Sequence, residues 1–199
     1  MMHATNQSAL LDDAGGRKYL CASELPRFLE AASKADSETR LFCCLLVFTG
    51  CRISEALAIT PARLDAATGR VILRTLKRRR QVFRAVPVPP TLMAALCRHA
   101  RDVAQDMPLW RWCRQTAWRR VKAVMEDARI SGAQAMPKGL RHGFGVANAE
   151  ENVPMAMTQK WLGHAKLETT AIYQQAVGRE ENAFARRLWR KWRTEATSG

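Results

Sequence analysis

Residues 137–173 read PKGLRHGFGVANAEENVPMAMTQKWLGHAKLETTAIY, and five side chains of this largely helical stretch stand out for their chemistry: Lys138, Arg141, His142, His164 and Tyr173. Lys138 and Arg141 are three residues apart, which puts them on one face of a helix. Pro137 fits the first turn of that helix, where its missing N–H leaves no bond unmade. Gly163 marks a helix break just before His164, and Tyr173 follows nine residues later. Cations for phosphate oxygens and a hydroxyl that can attack phosphorus form the inventory of phosphodiester chemistry. Singly, each group has a plainer reading. A lone tyrosine usually packs with its hydroxyl satisfied, and a histidine after Leu-Gly can simply cap a helix. His142, next to Arg141, is expected to point elsewhere on the helix and to be structural or supporting.

The elements that must position these groups are legible in outline. A helix opens at Ala22–Pro26 and runs to about residue 34 on a Leu25, Phe28, Leu29 stripe. Asp36 or Ser37 caps a second helix, apolar on most sides, which Gly50 stops after Phe48. Arg52 opens a short helix that Ile53, Ala56, Leu57 and Ile59 bury. Glu55 shares a face with Arg52 and is read as orienting a buried Arg52, not as a weak surface pair. Residues 70–76 and 82–88 are β-rich, joined by the cationic tip Lys77-Arg78-Arg79-Arg80-Gln81. Four consecutive cations repel one another unless an anion is near. A helix follows from Pro89-Pro90-Thr91 to about residue 103, then a loop over 106–112. The next helix, 115–129, points Trp118, Val121, Val124 and Met125 inward. Arg111, Arg114, Arg119, Arg120 and Lys122 give this region a basic face, while Trp110, Trp112 and Trp118 are read as packing groups. Helices at 138–151, 155–162 and 167–176 are broken by Asn152-Val153-Pro154 and Gly163. A last helix, 180–192, carries Phe184, Leu188 and Trp192 at helical spacing. The fold class expected is mainly α with a small antiparallel β-hairpin or sheet (α+β).

The chain has 199 residues and a formal net charge of +14, and a polyanionic partner is the simplest reason for such a balance. No run of about 18 apolar residues spans a bilayer, and the N-terminus lacks the layout of a secretory signal. A cytoplasmic protein is expected. The six cysteines form no CxxC pair and no zinc spacing, so they read as small reduced side chains, and no metal is called for.

GLRHGFG and LGHAKLETTAIYQQ, with TGCRISEAL upstream, resemble the boxes of the tyrosine recombinase (phage integrase) family over roughly residues 20–193. Arg52 matches the family's first arginine and Lys77 its hairpin lysine. Arg141 matches the arginine of the HxxR box, His164 the histidine of LGH, and Tyr173 the nucleophile. Lys138 stands where the family's commonest residue is histidine. Each box alone is weak; all of them in order make a strong resemblance.

The resemblance implies the family's catalytic-domain fold and a mechanism. Tyr173 attacks the scissile phosphate to give a 3′-phosphotyrosyl ester. Arg52, Arg141 and His164 hold the non-bridging oxygens, and Lys77 protonates the leaving 5′-oxygen. Lys138 adds charge, and as a protonated lysine it is a poor acceptor for the tyrosyl proton. The ester conserves the bond, so neither nucleotide nor metal cofactor is implied. Arg78, Arg79, Arg80, Arg119 and Lys122 are the candidate DNA-binding residues. The implied partner is double-stranded DNA, with a homotetramer on DNA, a monomer in free solution and accessory DNA-bending proteins. Residues 1–19 are expected as a flexible lead-in, 20–193 as the catalytic domain and 194–199 as a tail, with no separate core-binding domain. The plan resembles the fimbrial phase-switch invertases. Two rivals are a non-catalytic DNA-binding regulator on the same fold and an enzyme like the type IB topoisomerases.

Overall fold

The computed structural model describes residues 10–75, 82–176 and 185–190. The Lys77, Arg78, Arg79 and Arg80 tip, Phe184 and Trp192 lie outside the described residues. The element order is α1 (Glu24–Lys34), α2 (Ser37–Thr49), α3 (Ile53–Leu57), a 3-10 turn, β1 (Leu64–Asp65), β2 (Arg70–Thr75), β3 (Val82–Pro87), α4 (Pro90–His99), α5 (Arg114–Asp127), α6 (Pro137–Glu150), α7 (Met155–Leu162), α8 (Glu168–Ala171) and a 3-10 turn Ile172–Ala176. The fold is mainly helical with a three-stranded antiparallel sheet in the order β1-β2-β3. This is the α+β class expected, with one more strand, the two-residue β1 that pairs Leu64 with Val71.

Local chemistry sets the boundaries. The Asp36 side chain accepts from Thr39 N–H at 3.0 Å to start α2. Gly50, at φ 58°, ends it in the left-handed conformation that a side chain disfavours. In the hairpin, Val71, Leu73 and Thr75 of β2 and Arg84 and Val86 of β3 face inward with the period of two that a half-buried sheet needs. Phe28, Phe42, Leu45, Leu46, Leu96, Val121, Met125 and Leu140 fill the main core, where α1, α2, α4, α5 and α6 meet. Trp110 is buried there, edge-on to Phe42 at 5.1 Å, with its indole N–H donating to the Glu38 carbonyl.

Several expectations need correction. Trp118 is 42% exposed rather than inward. The buried stripe of α5 is Ala117, Val121, Val124 and Met125, and Trp118 sits one residue, about 100°, off it. Arg120 belongs only in part to the basic face: it pairs with Asp36 at 2.8 Å and lies over the Trp112 ring. α4 stops at His99, four residues short of the expected end, where the His99 ring meets the Leu109 carbonyl. The 167–176 helix is a short α-helix followed by a 3-10 turn. Over residues 10–19 the chain folds back on itself, Lys18 N–H donating to the Leu10 carbonyl, and Leu10 is buried. Residues 185–190 are helical, with Leu188 and Trp189 exposed.

The two tryptophans therefore differ sharply. Trp110→Ala should cost about 3–5 kcal/mol of folding stability, and Trp118→Ala within about 0.5 kcal/mol, as read from urea unfolding of the two variants.

Candidate active site

One buried carboxylate organises the site. Glu55, on α3, has no exposed side-chain surface. Its Oε1 accepts from Arg52 Nη1 at 2.9 Å and its Oε2 from Arg84 Nη2 at 2.7 Å. Oε2 also accepts the Arg52 backbone N–H at 2.9 Å, closing the start of α3. Burial by itself would raise the Glu55 carboxyl, but the hydrogen bond and charge of Arg84, with Arg52 behind them, hold it below the ordinary range. The expected Glu55–Arg52 pair is present, with one difference: Glu55 is the buried member, whereas the Arg52 side chain is 29% exposed.

Arg84 is a site residue that the boxes do not single out. It spends its guanidinium inside the protein, donating from Nε to the Trp161 carbonyl at 2.7 Å and from Nη1 to Thr75 Oγ1 at 3.0 Å. It thereby ties β2 and β3 to α3 and to the end of α7. A Cβ on Gly163 would come within 2.9 Å of Arg84 Nη1. The sequence carries a signal for this: Arg84 lies on the same strand face as Val86, and a charge on a buried face needs a partner.

Arg141 projects from α6 into the gap between two helix ends. Nη1 donates to the Gly50 carbonyl at 2.8 Å and Nη2 to the Leu162 carbonyl at 2.7 Å. These carbonyls lie at the C-termini of α2 and α7, the negative ends of both helices. Burial and then the charge of Arg52 lower the guanidinium to about 10, so it stays charged at neutral pH.

His164 follows Gly163, and its Nδ1 shares a 2.9 Å hydrogen bond with Thr170 Oγ1. Its ring stacks on Tyr173 at 6.1 Å between centroids. Burial, then Arg141 and Arg52, push the imidazole down to about 3, so it is neutral at physiological pH. Tyr173 is 2% exposed. Its ring packs with Leu10, Val146 and Leu162, and lies so close to α6 that a Cβ at Gly145 would fall 2.5 Å from it. Burial raises its hydroxyl, against the opposing charges of Arg141 and Arg52.

The structure thus brings Arg52, Arg141, His164 and Tyr173 together and adds Glu55 and Arg84. Lys138 sits exposed on the first turn of α6, and its charge bears on the buried His142 one turn further on. His142 departs from expectation: it does not point elsewhere, but lies buried with Nδ1 3.1 Å from the Tyr173 hydroxyl. Of the surface candidates, Arg119 is exposed and Lys122 half-buried on α5. Among the described residues no group of three or more His, Cys, Asp or Glu side chains is placed to hold a metal ion.

Such a constellation on this fold defines a class. The family model described as phage integrase family matches residues 18–179, and the chain belongs to that family. Tyrosine recombinase XerA of Pyrococcus furiosus is 27% identical over 172 residues, 81% of this chain and 58% of that protein. Tyrosine recombinase XerD of Mycobacterium tuberculosis is 32% identical over 176 residues, 83% of this chain and 53% of that protein. The chain therefore spans little more than half the length of these relatives. The fold matches the crystal structure of XerA recombinase with a TM-score of 0.70 at 24% identity, covering 84% of this chain and 65% of that one. It also matches XerH bound to palindromic difH substrate in a post-cleavage complex, with a TM-score of 0.72 at 24% identity, over 93% of this chain and 56% of that one.

The Glu55 network has a thermodynamic signature. Glu55→Ala leaves Arg84 buried without its carboxylate and should cost about 3–5 kcal/mol; Glu55→Leu combined with Arg84→Met should recover part of that loss in urea unfolding.

Acid acts through the histidines as well. With folded values near 4 for His142 and 3 for His164, below their ordinary 6.5, the unfolded chain takes up protons first, so stability falls as pH drops below about 6.5. The lowered Glu55 works in the same direction further down, its contribution being lost as pH falls through its folded value. A denaturant midpoint followed from pH 7 to 4.5 should fall, and His164→Gln should make the fall shallower.

Proposed function

We propose that residues 20–193 form the catalytic domain of a tyrosine-type site-specific DNA recombinase, cleaving and rejoining double-stranded DNA through a 3′-phosphotyrosyl ester. The observation that carries this reading is the convergence of Arg52, Arg141 and His164 on the one tyrosine of the site, Tyr173. The named relatives are tyrosine recombinases, which supports the same reading.

In this mechanism the Tyr173 oxygen attacks phosphorus in line with the departing 5′-oxygen. Arg141 has two N–H groups committed to helix-end carbonyls, which aims the remainder of its fork at the phosphate without rotamer loss. Arg52, anchored by Glu55 yet part-exposed, meets the incoming phosphate, and His164 donates to a non-bridging oxygen. Such preorganised donors stabilise the charge that builds up in the transition state. Lys77 protonates the leaving oxygen, and Lys138 adds positive potential. The ester keeps the energy of the broken bond, so rejoining needs neither nucleotide nor metal. Because Tyr173 is sealed beneath Leu10, Val146 and Leu162, its seat opens as DNA binds. Arg78, Arg79, Arg80, Arg119 and Lys122 contact the DNA backbone, consistent with the net charge of +14. On this reading the protein is a monomer in free solution, a homotetramer on DNA aided by accessory DNA-bending proteins, and works on nucleoid DNA in the cytoplasm.

A nicked suicide substrate tests the core of the proposal. Wild-type protein should form a covalent adduct in EDTA, Tyr173→Phe none while still shifting DNA in a gel, and Arg141→Ala on the order of a hundredfold less. An adduct that persists in Tyr173→Phe, or one that needs magnesium, overturns the assignment.

A further inference from the structure

His142 is a buried titratable group at the site that this mechanism leaves without work. Its Nδ1 lies 3.1 Å from the Tyr173 hydroxyl and its ring 5.9 Å from the tyrosine ring. Its Nε2 is buried with no hydrogen-bond partner among the described residues. A buried imidazole nitrogen without a partner is uncommon in folded proteins, and a catalytic role is one of the few physical reasons to keep one. Lys138, which occupies the position where the resemblance leads one to expect a histidine, is exposed on the same helix and is a cation, not a proton acceptor. The residue on this helix that offers a basic nitrogen to the hydroxyl is four positions further on, one turn deeper.

Resting on the recombinase reading, we infer that His142 is a catalytic residue, the proton acceptor for Tyr173. As the Tyr173 oxygen bonds to phosphorus, its O–H bond breaks and the proton passes to His142 Nδ1. The bond from phosphorus to the 5′-oxygen breaks, and that oxygen takes a proton from Lys77. On rejoining, a 5′-hydroxyl attacks the ester and gives its proton back to Lys77, the bond from phosphorus to the Tyr173 oxygen breaks, and that oxygen recovers its proton from His142. Burial, then Lys138 and Arg141, hold the free ring down to about 4, so it waits neutral with its lone pair available. The scissile phosphate brings the negative charge that makes an imidazolium tolerable at this place.

The chain has two tyrosines, Tyr19 and Tyr173, which makes a chemical test clean. In a Tyr19→Phe background, a fluorotyrosine of lower phenol pKa is incorporated at position 173 alone. Adduct formation on a suicide substrate is then timed at saturating protein. His142→Asn, whose amide sits where Nδ1 was, keeps a hydrogen-bonding group there but no basicity; His142→Gln is the second variant. Half-site gel shifts and thermal midpoints confirm that both fold and bind. Both should lose on the order of a hundredfold in adduct formation with ordinary tyrosine, and fluorotyrosine should restore at least tenfold. A penalty that is the same for both tyrosines overturns the inference, because packing defects ignore phenol acidity. Rates at or above wild type also overturn it, showing that His142 only latches the tyrosine in its seat. If the unsubstituted protein makes no Tyr173-dependent adduct, it is the recombinase reading itself that fails.

Discussion

A buried carboxylate that must balance two guanidinium groups is the constraint on which the site depends. Glu55 is enclosed, and an ionised carboxylate there is tolerable only because Arg52 and Arg84 share its two oxygens. The two arginines have opposite relations to solvent. Arg84 is wholly internal and fastens the sheet to α3 and α7. Arg52 reaches outward from the same anchor. The site thus combines a closed structural pair with an open cation, and fixing the first fixes the direction of the second. The pair is worth more as geometry than as net stability, since enclosed ion pairs often do no better than apolar side chains of equal volume.

Much of this is written in local sequence. Asp36 and Gly50 bound α2 by their side-chain chemistry alone, and the switch to a period of two marks β2 and β3. The boxes around Arg52, Arg141, His164 and Tyr173 are recognisable because each lies at a helix start, helix face or helix break. What is not legible depends on contacts distant in sequence or on helical phase. Arg84 meets a carboxylate 29 residues away. The exposure of Trp118 turns on a single step of helical phase. His142, expected to turn aside from the site, does not, because glycines on α6 let neighbouring backbone and the Tyr173 ring come in so close that α6 is buried on almost every side. The lead-in offers few cues to its packing: the contacts that bury Leu10 are to Val146, Leu162 and Tyr173, all far along the chain.

The arrangement of cations also bears on the two histidines. Burial first, and then Lys138 and Arg141 for His142 and Arg141 and Arg52 for His164, keep both rings neutral far below the usual range of imidazole. Neutral rings keep a lone pair and a donor each, and their roles are set by what the other nitrogen touches. For His164 that neighbour is the Thr170 hydroxyl. For His142 the second nitrogen makes no hydrogen bond among the described residues.

Arg141 holds the last carbonyls of two different helices in one planar fork. A fork of fixed shape measures the distance and angle between whatever it grips. Any change in how α2 leans against α7 therefore becomes a rotation of the guanidinium. In that sense the candidate site is a gauge of interhelical packing: a small loss of fit where α2 meets α7 would reach it as misalignment of Arg141 in a protein that still holds its fold.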